Sequence, residues 1–484
     1  MTPDAGESHA SVRALFLRGI GLVYLIAFVS LHAQVEGLFG SGGLAPIAEL
    51  MGQLRERIGG TAFLRLPTLF WFDDSNASLV LLCRLGVLSS ALLLLGILPL
   101  PAALACWLLY LSFVVVGAPF LRFQWDSLLL EAGFLALLWA PATATLRSAR
   151  ATTPSVLVLW LIRILVFRLM FLSGFVKLAS GDPSWWDLTA LTWHWWTQPL
   201  PAWTAWYAAQ LPLFLQQLAC AVVFFIELVM PFAILLGARG RLAACTAFVG
   251  LMVMIGATGN YGFFNLLTAV LCIPLLRDSD LPGLLRQPRA NAAAGSKLRG
   301  VLTAVAAFLI LAQSVPTALA RVTGWSMPLG LVREAILPLS GPFQLTSSYG
   351  LFAAMTKRRP EVILEATRDG KIWEPYVFRW KPGPPSRPPG FVGFGMPRLD
   401  WQLWFDALAI RRAMDHRVPT GNIVLPELIA RLEAADPAVL GLLESSPFGS
   451  TPPQAVRWQL PQYRFTTAEE REATGDWWHV SSAE

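Results

Sequence analysis

Long stretches with almost no charge recur along this chain, and they restrict its fold more than any other feature. A helix needs about 20 mostly apolar residues to cross roughly 30 Å of hydrocarbon. Such stretches run from Val12 to His32, Ser78 to Leu98, Leu100 to Phe120, Phe123 to Ala140, Val156 to Lys177, Leu211 to Gly237, Arg241 to Thr258, Tyr261 to Leu276 and Leu298 to Leu319. Hydropathy counting therefore predicts about nine spans. Hydrophobic residues make up 55% of the 484 and charged ones 14%, a balance that one water-facing core could not hide, so lipid acts as part of the solvent. The expected fold is an α-helical multi-pass membrane bundle in residues 1–320, with outside loops at 35–77 and 179–212. A small soluble, β-rich mixed domain is expected in 321–484. The first stretch has no small-residue cleavage pattern behind it and reads as a retained helix.

The net charge of +6 does not point to nucleic acid, because the Lys and Arg residues are scattered over loops and form no stripe. They sort by side instead. With a cytosolic N-terminus, the inside loops carry Arg13, Arg18, Arg147, Arg150, Arg239, Arg241, Arg277, Arg286, Arg289, Lys297 and Arg299, against mainly Arg55, Arg57, Arg65 and Arg122 outside. That bias and an odd number of spans put the C-terminal domain outside, in a periplasm-like or lumenal space. All five cysteines fall in the apolar stretches and none has a C-x-x-C spacing, so they read as packing residues rather than redox groups.

Gly40 to Gly43 (Gly-Ser-Gly-Gly) is a turn and not a phosphate cradle, since no Lys-Ser or Lys-Thr follows it. The loop 179–212 is dense in indoles: Trp185, Trp186, Trp193, Trp195, Trp196, Trp203 and Trp206. Indoles prefer the headgroup zone, so this loop is expected along the outer membrane surface, as an aromatic belt or a docking surface for an apolar client or membrane lipid. Charges inside spans are costly and need partners. Counting ~1.5 Å per residue from the outer end of each span puts Glu131 about 12 Å deep and Arg168 about 15 Å. It puts Asp126 near Lys177 at the outer edge, and Glu227 at about 24 Å beside Arg163 at about 22 Å. Three pairs are thus expected to clip the fourth, fifth and sixth spans. The five histidines lack metal-ligand spacing and no G-x-S-x-G elbow occurs, so no catalytic residue, metal or cofactor is assigned.

Beyond Leu319 the pattern changes. Glu361 to Trp380 alternates apolar and polar residues around Asp369-Gly370, which predicts a hairpin with Tyr376, Phe378 and Trp380 on one face. Lys381 to Pro397 is rich in Pro and Gly and reads as loop. Trp401 to Met414 and Pro426 to Glu433 read as helices, and Val456 to Phe465 as a late strand.

Several runs are similar to the lipase maturation factor family of multi-pass membrane proteins: FQWDSLLLE (123–131), FRLMFLSGFVKL (167–178), WWDLTALTWHWWTQPLP (185–201), GNYGFFNLLT (259–268), YGLFAAMTKRRP (349–360), PRLDWQLWF (397–405) and YRFTTAEEREATGDWW (463–478). One departure stands before Pro397, where Gly395 and Met396 replace a His-Gln pair usual in the family. The resemblance implies a membrane-anchored factor for maturation, folding or assembly of exported proteins such as lipases. It implies residence in the endoplasmic reticulum membrane in animals, or the plasma membrane in bacteria, and requires no reaction. Client contacts are then expected at Trp185, Trp186, Trp195 and Trp196 in the loop and at Asp400, Trp401, Gln402 and Trp404 in the soluble domain. The helical part is also distantly similar to the vitamin K-dependent carboxylase superfamily. The alternative is therefore a membrane-embedded enzyme using Glu131, Arg168, Lys177 and Glu227 around a lipid or quinone-like substrate.

Overall fold

A computed structural model describes residues 8–57, 62–148, 152–286, 297–323, 336–421 and 423–482. Among these, seven helices are long and apolar enough to cross a membrane: Ala10–His32, Asn76–Leu95, Pro99–Val116, Val156–Ala179, Leu213–Ala233, Gly237–Thr258 and Arg299–Ala320. The other two predicted spans form shorter helices, Gln124–Trp139 and Phe264–Leu275, about 24 and 18 Å long at 1.5 Å per residue. Both are too short to cross unaided, so the predicted nine becomes seven helices of sufficient length.

Local signals set the helix ends. Ser75 accepts from Ser78 N–H at the start of Asn76–Leu95, and Gly96 (φ +78°) closes it in the left-handed conformation. Ser155 caps Val156–Ala179 in the same way. Ala10–His32 lacks a side-chain cap of its own. Asp278 takes that role from across the bundle, accepting from Ser8 Oγ (2.6 Å) and from the backbone N–H groups of Ala10 (3.0 Å) and Val12 (2.9 Å). Without a hydrophobic drive in lipid, helices associate by close packing over small residues. A Cβ at Gly21 would lie 2.5 Å from Leu94 N, and one at Gly86 2.4 Å from the Phe28 ring, so the first two long helices touch almost backbone to backbone. Leu213–Ala233 is interrupted by a π-helical turn at Phe225–Val229, next to Pro231, whose missing N–H frees the Glu227 carbonyl.

The C-terminal part holds a three-stranded antiparallel sheet, ordered β2 (Glu374–Pro375), β1 (Ile363–Thr367), β3 (Ala455–Gln459), and a hairpin of β4 (Gln462–Phe465) with β5 (Trp478–Ser481). The predicted hairpin is there with Gly370 at φ +70°, but its second strand is only two residues long. Tyr376 and Phe378 are buried, and Trp380 is half-buried. The single late strand divides into β3 and β4 because Pro461 cannot continue the ladder. Arg398–His416 and Leu425–Glu433 are helical, and 381–397 contains neither helix nor strand.

This domain sits on one end of the bundle. Ser30 and Gln34 at the end of the first helix bond the backbone of Met396 and Arg398. Asn260 bonds the backbone of Gly390 and Val392, and Trp206 bonds Thr466. At the opposite end, Arg13 bonds Thr152 and Arg299 bonds the carbonyls of Leu138 and Ala140.

Candidate functional site

The chemistry-bearing residues gather in two adjoining places, the joint between the two parts and a cavity beneath it. The joint is built on buried charge. Arg398, in the first turn of its helix, reaches into the bundle and donates to Asp126 Oδ1 (2.8 Å) and Oδ2 (3.1 Å), to Phe120 O (2.6 Å) and to Tyr110 Oη (3.2 Å). Tyr110 in turn donates to Asp126 at 2.5 Å. Glu131 faces Arg168 at 2.7 Å and accepts from Ser347 N–H (3.0 Å) and Tyr349 Oη (2.5 Å), so this pair also grips the segment entering the C-terminal domain. A third group holds the tryptophan loop. Arg359 donates to the carbonyls of Trp196, Gln198 and Pro199 while pairing with Glu361 (2.7 Å), which Lys381 also meets at 3.1 Å. A cation at the C-terminal carbonyls of the helix Ala190–Thr197 satisfies groups the helix leaves open.

Two expected pairings are replaced. Asp126 meets Arg398 and not Lys177, while Lys177 donates to both oxygens of Glu227 (2.9 and 2.7 Å). Arg163 donates to Pro274 O (3.0 Å) and lies over the Trp160 ring at 5.0 Å. Depth counting assumed that all spans begin level. Leu213–Ala233 instead starts 14 residues before Glu227, about 21 Å at 1.5 Å per residue, and Glu227 stands at the level of Gly174, where a Cβ would lie 2.9 Å from its own. The first turns of that helix therefore rise beside the tryptophan loop, where Trp195 donates to Gln216 (3.0 Å) and Trp185 packs on Phe224 (5.5 Å between centroids).

Burial also reassigns most of the expected contact residues. Asp400 accepts from the N–H groups of Trp380 and Lys381, Trp401 donates to Asn260 O, Trp404 donates to Thr197 O, and Gln402 holds Asp406, which caps the Leu425–Glu433 helix. All four are buried and form the inner face of the joint, with Trp401 edge-on to Trp125 at 4.8 Å. In the loop, Trp185 is buried, Trp195 and Trp196 are half-buried, and Trp186 is 64% exposed. Met396, at the position where the family pattern departs, is buried and latched to Ser30 and Gln34 through its backbone. Arg359, Tyr110 and Tyr349 carry no sequence signal of this role, because the loop carbonyls, Arg398 and Glu131 that they meet lie far away along the chain, and Glu361 and Lys381 gain theirs only through Arg359.

Beneath the joint lies a cavity of about 580 Å³ between Val156–Ala179, Leu213–Ala233, Gly237–Thr258 and the loop helices. Its walls are mostly aliphatic. Its polar side includes the Lys177–Glu227 pair and His194 with Tyr261, which Gln198 holds from outside the lining. Burial and the nearby Lys177 cation push the His194 pKa down to about 4, so the ring is neutral. Glu131 and Arg168 do not line it; Arg168 borders a separate space of about 270 Å³. Among the described residues, no group of acids, cysteines and histidines is arranged to hold a metal.

The comparisons follow both parts of this architecture. A model described as the lipase maturation factor transmembrane domain matches residues 11–282, and one for the lipase maturation factor C-terminal domain matches 345–484. Similar curated proteins include lipase maturation factor 2 of Homo sapiens, 35% identical over 96% of this chain and 80% of the relative, and of Mus musculus, 36% identical over 96% and 81%. Lipase maturation factor 1 of Bos taurus is 32% identical over 96% and 86%. No solved structure matches. With seven helices of spanning length beneath a docked C-terminal domain, this chain belongs to the lipase maturation factor family.

Proposed function

We propose that this protein is a membrane-anchored factor for the maturation, folding or assembly of exported proteins, lipases among them, and that it works by holding incompletely assembled clients at one face of the bundle. The carrying observation is the match, in order, to both parts of a family whose relatives are named lipase maturation factors. A holding factor needs a rigid, partly apolar surface, and the buried charge groups of the joint supply the rigidity. The apolar rim is Trp186, Trp203 and Tyr207 on the loop with Phe391 and Phe394 on the 381–397 segment, all exposed. Half-buried Trp195 and Trp196 pack against the cluster that holds Ala205 and Trp206.

The proposed setting has the N-terminus in the cytosol and residues 321–484 outside, in the periplasm of a bacterium or the lumen of the endoplasmic reticulum. Seven spanning helices, or nine with the two shorter ones, are both odd numbers and leave the chain ends on opposite sides. Arg13 and Arg299 lie at the end away from the soluble part, which supports the same sense. The test is cross-linked co-purification from native membranes. A secreted hydrolase should be recovered with the wild-type chain and lost with Trp186→Ala/Phe391→Ala/Phe394→Ala at unchanged membrane levels. Normal export of every lipase in cells lacking this protein would overturn the reading.

A further inference from the structure

We propose that the cavity beneath the joint seats one uncharged long-chain lipid carrying a free hydroxyl, with its chains against the aliphatic wall and the hydroxyl donating to His194 Nδ1. Volume and wall come first. A space of about 580 Å³ is within the range of about 300–1,000 Å³ that holds a single small-molecule ligand. Leu218, Val222 and Met254 line it and are also exposed on the outside of the bundle, so its side opening faces hydrocarbon. A chain can enter from the bilayer without crossing water.

The hydrogen-bond inventory of the wall then selects the polar end of the ligand. Every side-chain donor is already committed. Ser173, Thr246, Thr258 and Thr268 each donate to a carbonyl one turn back in their own helices. The indoles of Trp185 and Trp195 donate to Phe352 O and Gln216 Oε1. Lys177 spends its three protons on Ser173 O and the two Glu227 oxygens, which also cancels the charge and leaves no cation for a phosphate or carboxylate head. Tyr261 has one proton and gives it to Gln198 Oε1 at 2.7 Å; the Gln198 amide nitrogen bonds Trp195 O and Thr258 O, which fixes that orientation. The 3.1 Å contact between Tyr261 Oη and His194 Nε2 must then be donated by the imidazole. A neutral imidazole protonated on Nε2 carries its lone pair on Nδ1, and among the described residues that atom has no hydrogen-bond partner. The side chains of the wall offer an acceptor and no free donor, so they suit a hydroxyl and leave a quinone carbonyl without a side-chain partner, and a buried acceptor without a donor is costly.

The experiment uses the full chain in membrane vesicles and three photoactivatable probes with the same diazirine-bearing chain: a diacylglycerol, the same diacylglycerol acetylated on its hydroxyl, and a ubiquinone analogue. The diacylglycerol should label peptides from Leu213–Ala233 and Gly237–Thr258. The acetylated and quinone probes should label about three- to tenfold less, the effect of one neutral hydrogen bond. His194→Phe, which keeps the ring and removes the acceptor, should erase that preference. Gly250 lines the cavity and a Cβ built there meets nothing within 4 Å, so Gly250→Phe should fold, direct its ring into that space and abolish labelling. Equal labelling by the acetylated probe, stronger labelling by the quinone, or labelling unchanged in Gly250→Phe would each overturn the assignment.

Discussion

Separating Asp126 from Arg398 should release the C-terminal domain from the bundle. Both side chains are fully buried, and Arg398 spends four hydrogen bonds on Asp126, Phe120 O and Tyr110. Removing one member of such a pair leaves an uncompensated buried charge and costs about 3–5 kcal/mol, roughly a hundredfold to a few thousandfold in the docking equilibrium at 1.4 kcal/mol per decade. Removing both members leaves no stranded charge. A double-mutant cycle of Asp126→Asn, Arg398→Met and the double variant should therefore show each single substitution costing about 3 kcal/mol or more. The double should cost little more than the larger single, giving a coupling on the order of 3 kcal/mol. Unfolding in mixed detergent micelles, followed by tryptophan fluorescence, reports directly on the joint because Trp125 and Trp401 lie within it, 4.8 Å apart. Single costs below about 1 kcal/mol, or a double that equals their sum, would refute the reasoning.

Four further outcomes are expected. Trp401→Ala empties a buried site against Trp125 and Tyr261 and should cost about 3–5 kcal/mol, seen as faster proteolytic release of the C-terminal part with membrane insertion unchanged. Tyr349→Phe removes a 2.5 Å bond to the buried Glu131 carboxylate and should lower stability by about 1.5–3 kcal/mol in a thermal melt. Gly21→Val forces a side chain against the Leu94 backbone, which cannot retreat without its helix, and should abolish accumulation of folded protein on native gels. The His194 pKa lies below its ordinary value, at about 4, so its contribution to stability is whole above about pH 6.5 and is lost as the pH falls from there through 4. Melts of His194→Gln should lack that portion of the acid decline.

Hydropathy made the helices legible because the rule is local: twenty apolar residues need no knowledge of their neighbours. The Glu131 and Arg168 contact was legible for a related reason, since both residues lie near the middle of adjacent helices that begin close to level. Asp126 escaped that arithmetic because Arg398 comes from beyond the last helix of the bundle. Glu227 escaped it because a helix whose first turns rise above the end of its neighbour carries no mark of that offset in the sequence. The tryptophans were recognisable as a group and not individually. Only packing decides that Trp185 and Trp401 face inward while Trp186 faces outward. The cavity was invisible for the same reason, being made of ordinary aliphatic residues whose distinction is what they fail to touch.

Asp278 closes the start of the first helix from 270 residues downstream of Ser8. At roughly 5–20 residues per second of synthesis, tens of seconds separate the emergence of that helix from the arrival of the carboxylate that seals it. The start of the earliest segment to enter the bilayer thus waits until more than half of the chain has been made, and a nascent chain halted before Asp278 leaves the ribosome with its opening turn still seeking a partner. Surveillance machinery that senses unsealed helix ends would have that whole interval in which to distinguish a finished bundle from an abandoned one.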